Sequence, residues 1–325
     1  MTDIFILQVN NLTTCFKTRH GIIKAADNIF FKVKAGKTLG LVGESGCGKS
    51  ITALSILKLI EPPGEIVSGE VWFEGCDLLK LPSNKLQKIR GKEIAMVFQD
   101  PLTSLNPVLT VGTQLVETLI SHGNISLNDA KLQSASILLR MGLSDPEYLM
   151  RQYPFQLSGG MRQRVMMGMA LLMSPKVLIA DEPTTALDVT LQAQIISEMK
   201  RLQEEIGMAI ILITHDLGVV AAMADEVAVM YAGSIVEYGL ATEIFEHPVH
   251  PYTQALLCSV PRIGKKKLIP INGQPPKLLN LPSYCAFFPR CTKADKECRG
   301  EKPKLLEVES GHLAACHKIF LKAVY

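Results

Sequence analysis

The octapeptide Gly43–Glu44–Ser45–Gly46–Cys47–Gly48–Lys49–Ser50 follows G-x-x-x-x-G-K-[ST] and lies between an apolar run, TLGLV, and a segment of helical periodicity. In such a turn the glycines let the backbone curl until successive N–H groups face one centre. The helix behind it adds the positive end of its dipole. A phosphate-bearing anion fits that field. Gly43, Ser45, Gly46, Cys47, Gly48, Lys49, Ser50 and Ile51 are the candidate contacts, with Lys49 reaching β- and γ-phosphates and the Ser50 hydroxyl binding Mg²⁺. Farther along, VLIADEP ends an apolar run on two acids. Asp181 would hold Mg²⁺ through water, and Glu182 would orient and deprotonate an attacking water. A surface turn is the alternative for two adjacent acids; the apolar residues before them argue against it.

Two further constellations stand out. Leu157–Ser158–Gly159–Gly160–Met161 is a second serine-and-glycine turn opening a helix, with Ser158 as N-cap and bare N–H groups at Gly159 and Gly160. It is a second anion-binding helix end, or a simple cap. Near the C-terminus, Cys285, Cys291, Cys298 and Cys316 read C-x₅-C-x₆-C-x₁₇-C, without the paired C-x₂-C spacing of structural zinc sites. Four cysteinates on loose loops suit a [4Fe–4S] cluster or zinc, with free or disulfide-forming thiols as the third reading.

The elements that must position these residues follow from periodicity. Short apolar strands are predicted at Ile4–Val9, Ile29–Val33, Thr38–Val42, Glu70–Phe73 and Ile94–Phe98, with a helix over Ser50–Leu59. Val108 to about Met150 reads as wholly helical, and Met161–Met173 continues as helix. Buried strands Lys176–Ala180 and Ala209–Thr214 alternate with helices Leu191–Glu205 and Leu217–Ala224, and a hairpin turns at Ala232–Gly233. Continuous β-branched runs between helices indicate a parallel sheet covered on both faces, an α/β domain. From about His247 proline becomes frequent, which marks a separate C-terminal extension.

The 325 residues allow one large domain or two modest ones. A formal net charge of only +3 gives no reason to expect nucleic acid as a partner. The Lys265–Lys266–Lys267 run reads as a solvated linker face. The longest apolar candidate, Val165–Pro175, is too short to cross a bilayer, and its methionines read as helix core. The N-terminus shows no basic leader or cleavage site. A cytoplasmic protein is expected, with membrane association only through a partner.

The order of these motifs resembles that of ABC-transporter nucleotide-binding domains over roughly residues 4–240, and LSGGM is similar to the family signature LSGGQ, with Met161 in place of glutamine. The resemblance implies a P-loop (RecA-like) ABC ATPase core at residues 1–245, with an antiparallel β subdomain and an α-helical subdomain at about 102–165. It implies ATP and Mg²⁺ as ligands. It also implies a head-to-tail dimer, with an identical or sister ATPase subunit, in which each signature closes over the other's nucleotide. Gln99, after AMVF, resembles the glutamine that senses Mg²⁺ and the attacking water; His215 resembles the γ-phosphate histidine. Together with Glu182 these form the implied catalytic set. Thr185–Ala186–Leu187–Asp188 resembles the loop that crosses the dimer interface. Phe16 is the candidate adenine-stacking aromatic by position, a core phenylalanine being the other reading.

LVGESGCGKS, FQDPLTSLNPVLTVG, QYPFQLSGGMRQRV and the tail HPVHPYTQALLCSVPR look like the dipeptide/oligopeptide importer ATPases. Residues 246–325 then correspond to the irregular, Cys-rich extension of that group, some of whose members hold [4Fe–4S]. The implied partners are two transmembrane permease subunits and, indirectly, an extracytoplasmic substrate-binding protein, with the chain peripheral at the cytoplasmic face of the cell membrane. Import of nickel or another small solute is the alternative, since the ATPase never touches cargo. A soluble ABC ATPase acting on DNA or ribosomes would need coiled-coil or zinc-finger insertions, or a second cassette, which the sequence lacks.

Overall fold

The computed structural model describes residues 5–99, 104–184, 189–259 and 270–319. Strands β1 (Phe5–Thr18), β2 (Gly21–Lys34) and β3 (Thr38–Val42) precede helix α1 (Lys49–Ile56). Then come β4 (Gly64–Phe73), β5 (Cys76–Asp77), α2 (Ser83–Ile89) and β6 (Ile94–Val97). Four helices follow: α3 (Val111–His122), α4 (Leu127–Arg140), α5 (Pro146–Arg151) and α6 (Gly159–Leu171). Strand and helix next alternate through β7 (Val177–Asp181), α7 (Val189–Ile206), β8 (Ala209–Ile213), α8 (Leu217–Met223) and β9 (Glu226–Tyr231). The chain ends with β10 (Ser234–Leu240), α9 (Ala241–Glu246), α10 (Pro251–Cys258), β11 (Leu306–Glu309) and β12 (His312–Ala314). Backbone contacts divide it into two compact units, the first containing Lys34–Lys37 and Lys80–Leu212, the second Phe5–Val33, Thr38–Leu79 and the described part of Ile213–Tyr325.

In the first unit β8, β7 and β6 lie side by side, β6 and β7 parallel with Ile94 opposite Val177 and Val97 opposite Ala180. Every residue of β7 and β8 is buried, which is why both read as unbroken apolar runs. The stretch expected to be wholly helical breaks after His122 and after Arg140. Local capping is the reason: Thr110, Ser126, Asp145 and Ser158 each accept a hydrogen bond from a first-turn N–H. Ser126 and Asp145 each restart a helix within the stretch that periodicity alone would have run together.

The second unit holds an antiparallel sheet in the order β2-β1-β4-β5. Strands β1 and β4 pair from Leu7–Phe73 to Phe16–Gly64, with a bulge between Asn10 and Thr14. Both β1 and β2 run well past their expected apolar cores. A buried hydrogen bond of 2.7 Å between the Thr14 and Ser55 hydroxyls ties β1 to α1. Strand β3 pairs parallel with β9, and β9 turns through Ala232–Gly233, both at positive φ, into β10 as the dipeptide predicts. The tail adds β12 and β11 beyond β10, so this proline-rich segment packs within the second unit. Tyr231, Tyr252 and Phe287 bind β9, α10 and the tail into one aromatic cluster, with centroids 4.5 to 5.4 Å apart.

The tail is also fixed by one carboxylate. Glu237 is fully buried and accepts from the backbone N–H groups of Val249 and His250 and pairs with His312 Nε2 at 2.8 Å. The bond to Glu237 raises the His312 pKa, burial opposes it, and the charges of Glu237, Glu243 and Glu309 add to the rise. A histidine whose folded pKa is raised contributes stability that is present in full below its ordinary value near 6.5. That contribution is lost as pH climbs through the raised value. Thermal unfolding of His312→Gln should therefore fall further below wild type at pH 6 than at pH 9; an equal deficit at both would show that protonation plays no part.

Candidate functional site

The phosphate loop is shaped by two places where no side chain fits. Gly43 has φ 154°, and a Cβ there would lie 2.2 Å from the Met230 carbonyl oxygen. Gly48 has φ 109°, and a Cβ would lie 1.9 Å from the Ala25 carbonyl oxygen. Gly46 needs only its backbone conformation, since no atom comes within 4 Å. Met230 lies on β9 and Ala25 on β2, so both sheets of the second unit press on the loop. Ser45 and Gly46 remain exposed at its crown. Gly48 caps α1 without a side-chain hydrogen bond, and no acid occupies the first turn. The buried Lys49 ammonium donates to the Gly43 and Glu44 carbonyls at 2.8 and 3.0 Å. Burial pushes the Cys47 thiol up, so it packs as a neutral group under the loop. Ser50 and Ile51 lie in the first turn of α1, behind the loop.

In the same unit, Phe16 sits half-buried on β1 with its ring edge against Gly64. His215 is exposed at the end of β8. Thr214 Oγ1 accepts from the Asp216 N–H, and Asp216 caps α8 by accepting from Gly218 and Val219, so His215 is braced on both sides.

The first unit gathers the other predicted residues. Asp181 ends β7, buried, and Glu182 follows, also buried, with φ 52°. A glutamate in left-handed backbone is strained by order 1–3 kcal/mol, which a fold sustains when the surroundings fix it. Gln99 is exposed just past β6. Because Val97 pairs with Ala180, Gln99 and Glu182 leave the sheet at the same edge. Ser158 is exposed and caps α6 by accepting from the Met161 N–H at 3.3 Å, next to exposed Gly159 and partly covered Gly160. The substitution at Met161 leaves this cap intact, because the contact uses its backbone. Thr185–Asp188 lies outside the described residues.

The four tail cysteines line one small cavity of the second unit, beside His250 and Lys293, and form no disulfide. Burial first, and then the neighbouring cysteines, pushes Cys285 up to about 11; burial also raises Cys291, Cys298 and Cys316. Among the described residues no three His, Cys, Asp or Glu side chains form a group that could hold a single metal ion. Four convergent thiols are the donor number and type of a [4Fe–4S] site.

The family model for ABC transporters matches residues 26–185, and that for the oligopeptide/dipeptide transporter C-terminal region matches residues 236–298. The chain is 49% identical to the oligopeptide transport ATP-binding protein OppD of Haemophilus influenzae over 96% of both chains. It is 48% identical to the oligopeptide transport ATP-binding protein AppD of Bacillus subtilis, again over 96% of each. The chain belongs to the ABC transporter ATP-binding family. Among solved structures, the dimeric bacterial ABC transporter cassette MJ0796 superposes with a TM-score of 0.66 and 30% identity, over 72% of this chain and 98% of the other. The fold is accordingly the P-loop ABC ATPase fold, and the chain is an ABC ATPase.

For this ABC ATPase, sequence reasoning missed three positioning contacts. Gln163, buried on α6, donates to the Pro183 carbonyl and so ties the signature helix to the turn that carries Glu182. Arg290 and Tyr252 both reach Glu44 in the phosphate loop. Gln163 lay within a recognised motif but is flanked by Arg162 and Arg164, so nothing local marked it for burial; the Glu44 contacts had no signal either. Replacing Gly48 with Ala should destabilise the fold by at least about 2 kcal/mol and abolish ATP binding, because both φ and the Ala25 carbonyl oppose a Cβ. Gly46→Ala, opposed by φ alone, should do less, and calorimetry of the two variants decides it.

Proposed function

We propose that this chain is the ATP-hydrolysing subunit of an ABC importer of di- and oligopeptides. What carries the cargo reading is the likeness to oligopeptide ATP-binding proteins along nearly the whole chain, tail included, together with the match of residues 236–298 to the peptide-transporter C-terminal region. Nickel or small-solute import has no comparable support.

In this reading Gly43 and the residues from Ser45 to Ile51 bind the triphosphate, and Lys49 neutralises its β- and γ-oxygens. Phe16 stacks on adenine. Ser50, Gln99 and, through water, Asp181 hold Mg²⁺; hydroxyl, amide and carboxylate oxygens are the donors this hard cation prefers, and it supplies charge neutralisation. Glu182 takes the proton of the attacking water, and His215 contacts the γ-phosphate. Ser158, Gly159 and Gly160 of one ATPase meet the nucleotide of another, identical or sister, as the dimeric cassette MJ0796 suggests. Closure of that pair drives two permease subunits, and hydrolysis reopens it. Val108, Leu132, Leu139, Tyr148 and Phe155 expose apolar surface in the helical segment, a face suited to a permease helix. No helix among the described residues is long and apolar enough to cross a membrane. Attachment to the cytoplasmic face then comes through the permeases, with the extracytoplasmic binding protein an indirect partner. Residues 1–245 act as the nucleotide-binding domain and 246–325 as its extension. Cys285, Cys291, Cys298 and Cys316 hold a [4Fe–4S] cluster, which would serve as a structural staple.

Glu182→Gln should bind ATP, lose at least about 100-fold in kcat, and accumulate ATP-bound dimers on size exclusion; wild-type turnover would remove the role of Glu182. Protein purified without oxygen should be brown, carry iron and sulfide, and bleach in air. Zinc without iron in that preparation would end the cluster assignment.

A further inference from the structure

Glu44 is an anomaly in a loop built for anions: its carboxylate stands beside the amides that the proposed function assigns to the triphosphate. The structure neutralises it from the C-terminal tail. Arg290 Nη1 and Nη2 donate to the two Glu44 carboxylate oxygens at 2.6 and 2.9 Å, a bidentate pair whose arginine side chain is only 5% exposed. The guanidinium is itself aimed by the Asn272 carbonyl at 2.9 Å, the Tyr231 hydroxyl at 3.3 Å and the Gly273 carbonyl at 3.4 Å. On the other side of the same residue, the Glu44 N–H donates to the Tyr252 hydroxyl at 2.9 Å, while its carbonyl holds Lys49. Tyr252 is fully buried in the aromatic cluster that anchors the tail.

Arg290 stands directly before Cys291, in a turn closed by hydrogen bonds from Phe288 N–H to the Cys285 carbonyl, Arg290 N–H to the Phe287 carbonyl and Cys291 N–H to the Phe288 carbonyl. Its position is therefore set by the backbone between two of the cavity-lining cysteines. We propose that this Cys285–Cys291 turn is a strap on the phosphate loop, in which Arg290, masking the Glu44 charge, and Tyr252, holding the Glu44 backbone N–H, are positioning residues that set the affinity for ATP. The proposal rests on the phosphate-loop assignment above. It makes the extension part of nucleotide binding.

The test is Mg²⁺-ATP affinity of the full chain, read by displacement of a fluorescent ATP analogue, alongside kcat. Arg290→Ala unmasks one negative charge near the phosphates and should weaken ATP binding about tenfold with kcat changed less than about threefold. The deficit should shrink in high salt, which screens an exposed charge. Adding Glu44→Gln should restore most of the affinity, since the repelling charge is gone. Lys302→Ala cuts a different tail contact, to Asp27 and Ser234, and should bind ATP as wild type does. Unchanged affinity in folded Arg290→Ala, failure of Glu44→Gln to rescue it, or an equal loss in Lys302→Ala would overturn the proposal. Should Arg290→Ala fail to fold, Arg290→Lys, which keeps the charge but not the bidentate geometry, and Tyr252→Phe carry the same comparison, each with a smaller loss expected and none overturning it. If Lys49→Ala also bound ATP normally, the phosphate-loop assignment itself would be at fault.

Discussion

The carbonyl oxygens of Met230 and Ala25 occupy the space that side chains at Gly43 and Gly48 would need, and much of the second unit is arranged around that contact. Met230 belongs to the strand that pairs with β3, which leads into the loop; Ala25 belongs to the antiparallel sheet, which Thr14 and Ser55 fasten to the helix leaving it. The loop is thus clamped between two sheets rather than draped over one. Pre-set amides need little reordering when an anion arrives, and such fixed dipoles are the means by which proteins hold phosphates without burying a full countercharge. The Lys49 ammonium, held by two loop carbonyls, adds a formal positive charge to the loop.

Strain at Glu182 belongs to the same logic in the other unit. Its left-handed backbone follows directly on a fully buried strand, and Gln163 holds the next residue's carbonyl from the signature helix. A strained residue is sustained only where neighbours on both sides over-determine it. Here one side is the sheet and the other is α6, whose N-terminus carries Ser158. Cap and acid are therefore fixed by one helix. A shift of α6 would be felt at the backbone of Glu182, a route from the signature turn to the acid within a single unit.

Most of this was legible where local pattern and tertiary demand agree. The runs TLGLV, VLIAD and AIILI could only be strands buried on both faces, and the motifs they carry sit at their ends as expected. Legibility failed where the deciding force was short-range capping or long-range pairing. Helical periodicity ran from Val108 to Met150 because apolar spacing barely notices a four- or five-residue break; the caps at Ser126 and Asp145 were the missed signals. Beyond Val9 the apolar alternation of β1 is broken by the bulge between Asn10 and Thr14, so pairing with β4 is what reveals its length. The convergence of Cys285, Cys291, Cys298 and Cys316 on one cavity was legible as composition but not as geometry, because irregular loops have no period.

The contact between Glu44 and Arg290 spans 246 positions and leaves no trace in either local sequence, yet it joins the two oddest features of the chain. An acid in a phosphate loop and a cysteine-rich tail each look unexplained alone. Placed together, the acid becomes the handle by which the tail grips the loop, and the arginine becomes the reason the acid is tolerated near phosphates. A neutral residue at position 44 would remove the ion pair through which the extension reaches the loop. The stabilising aromatic cluster of Tyr231, Tyr252 and Phe287 supplies the rigidity such a grip requires, since a handle held by a loose tail would transmit nothing.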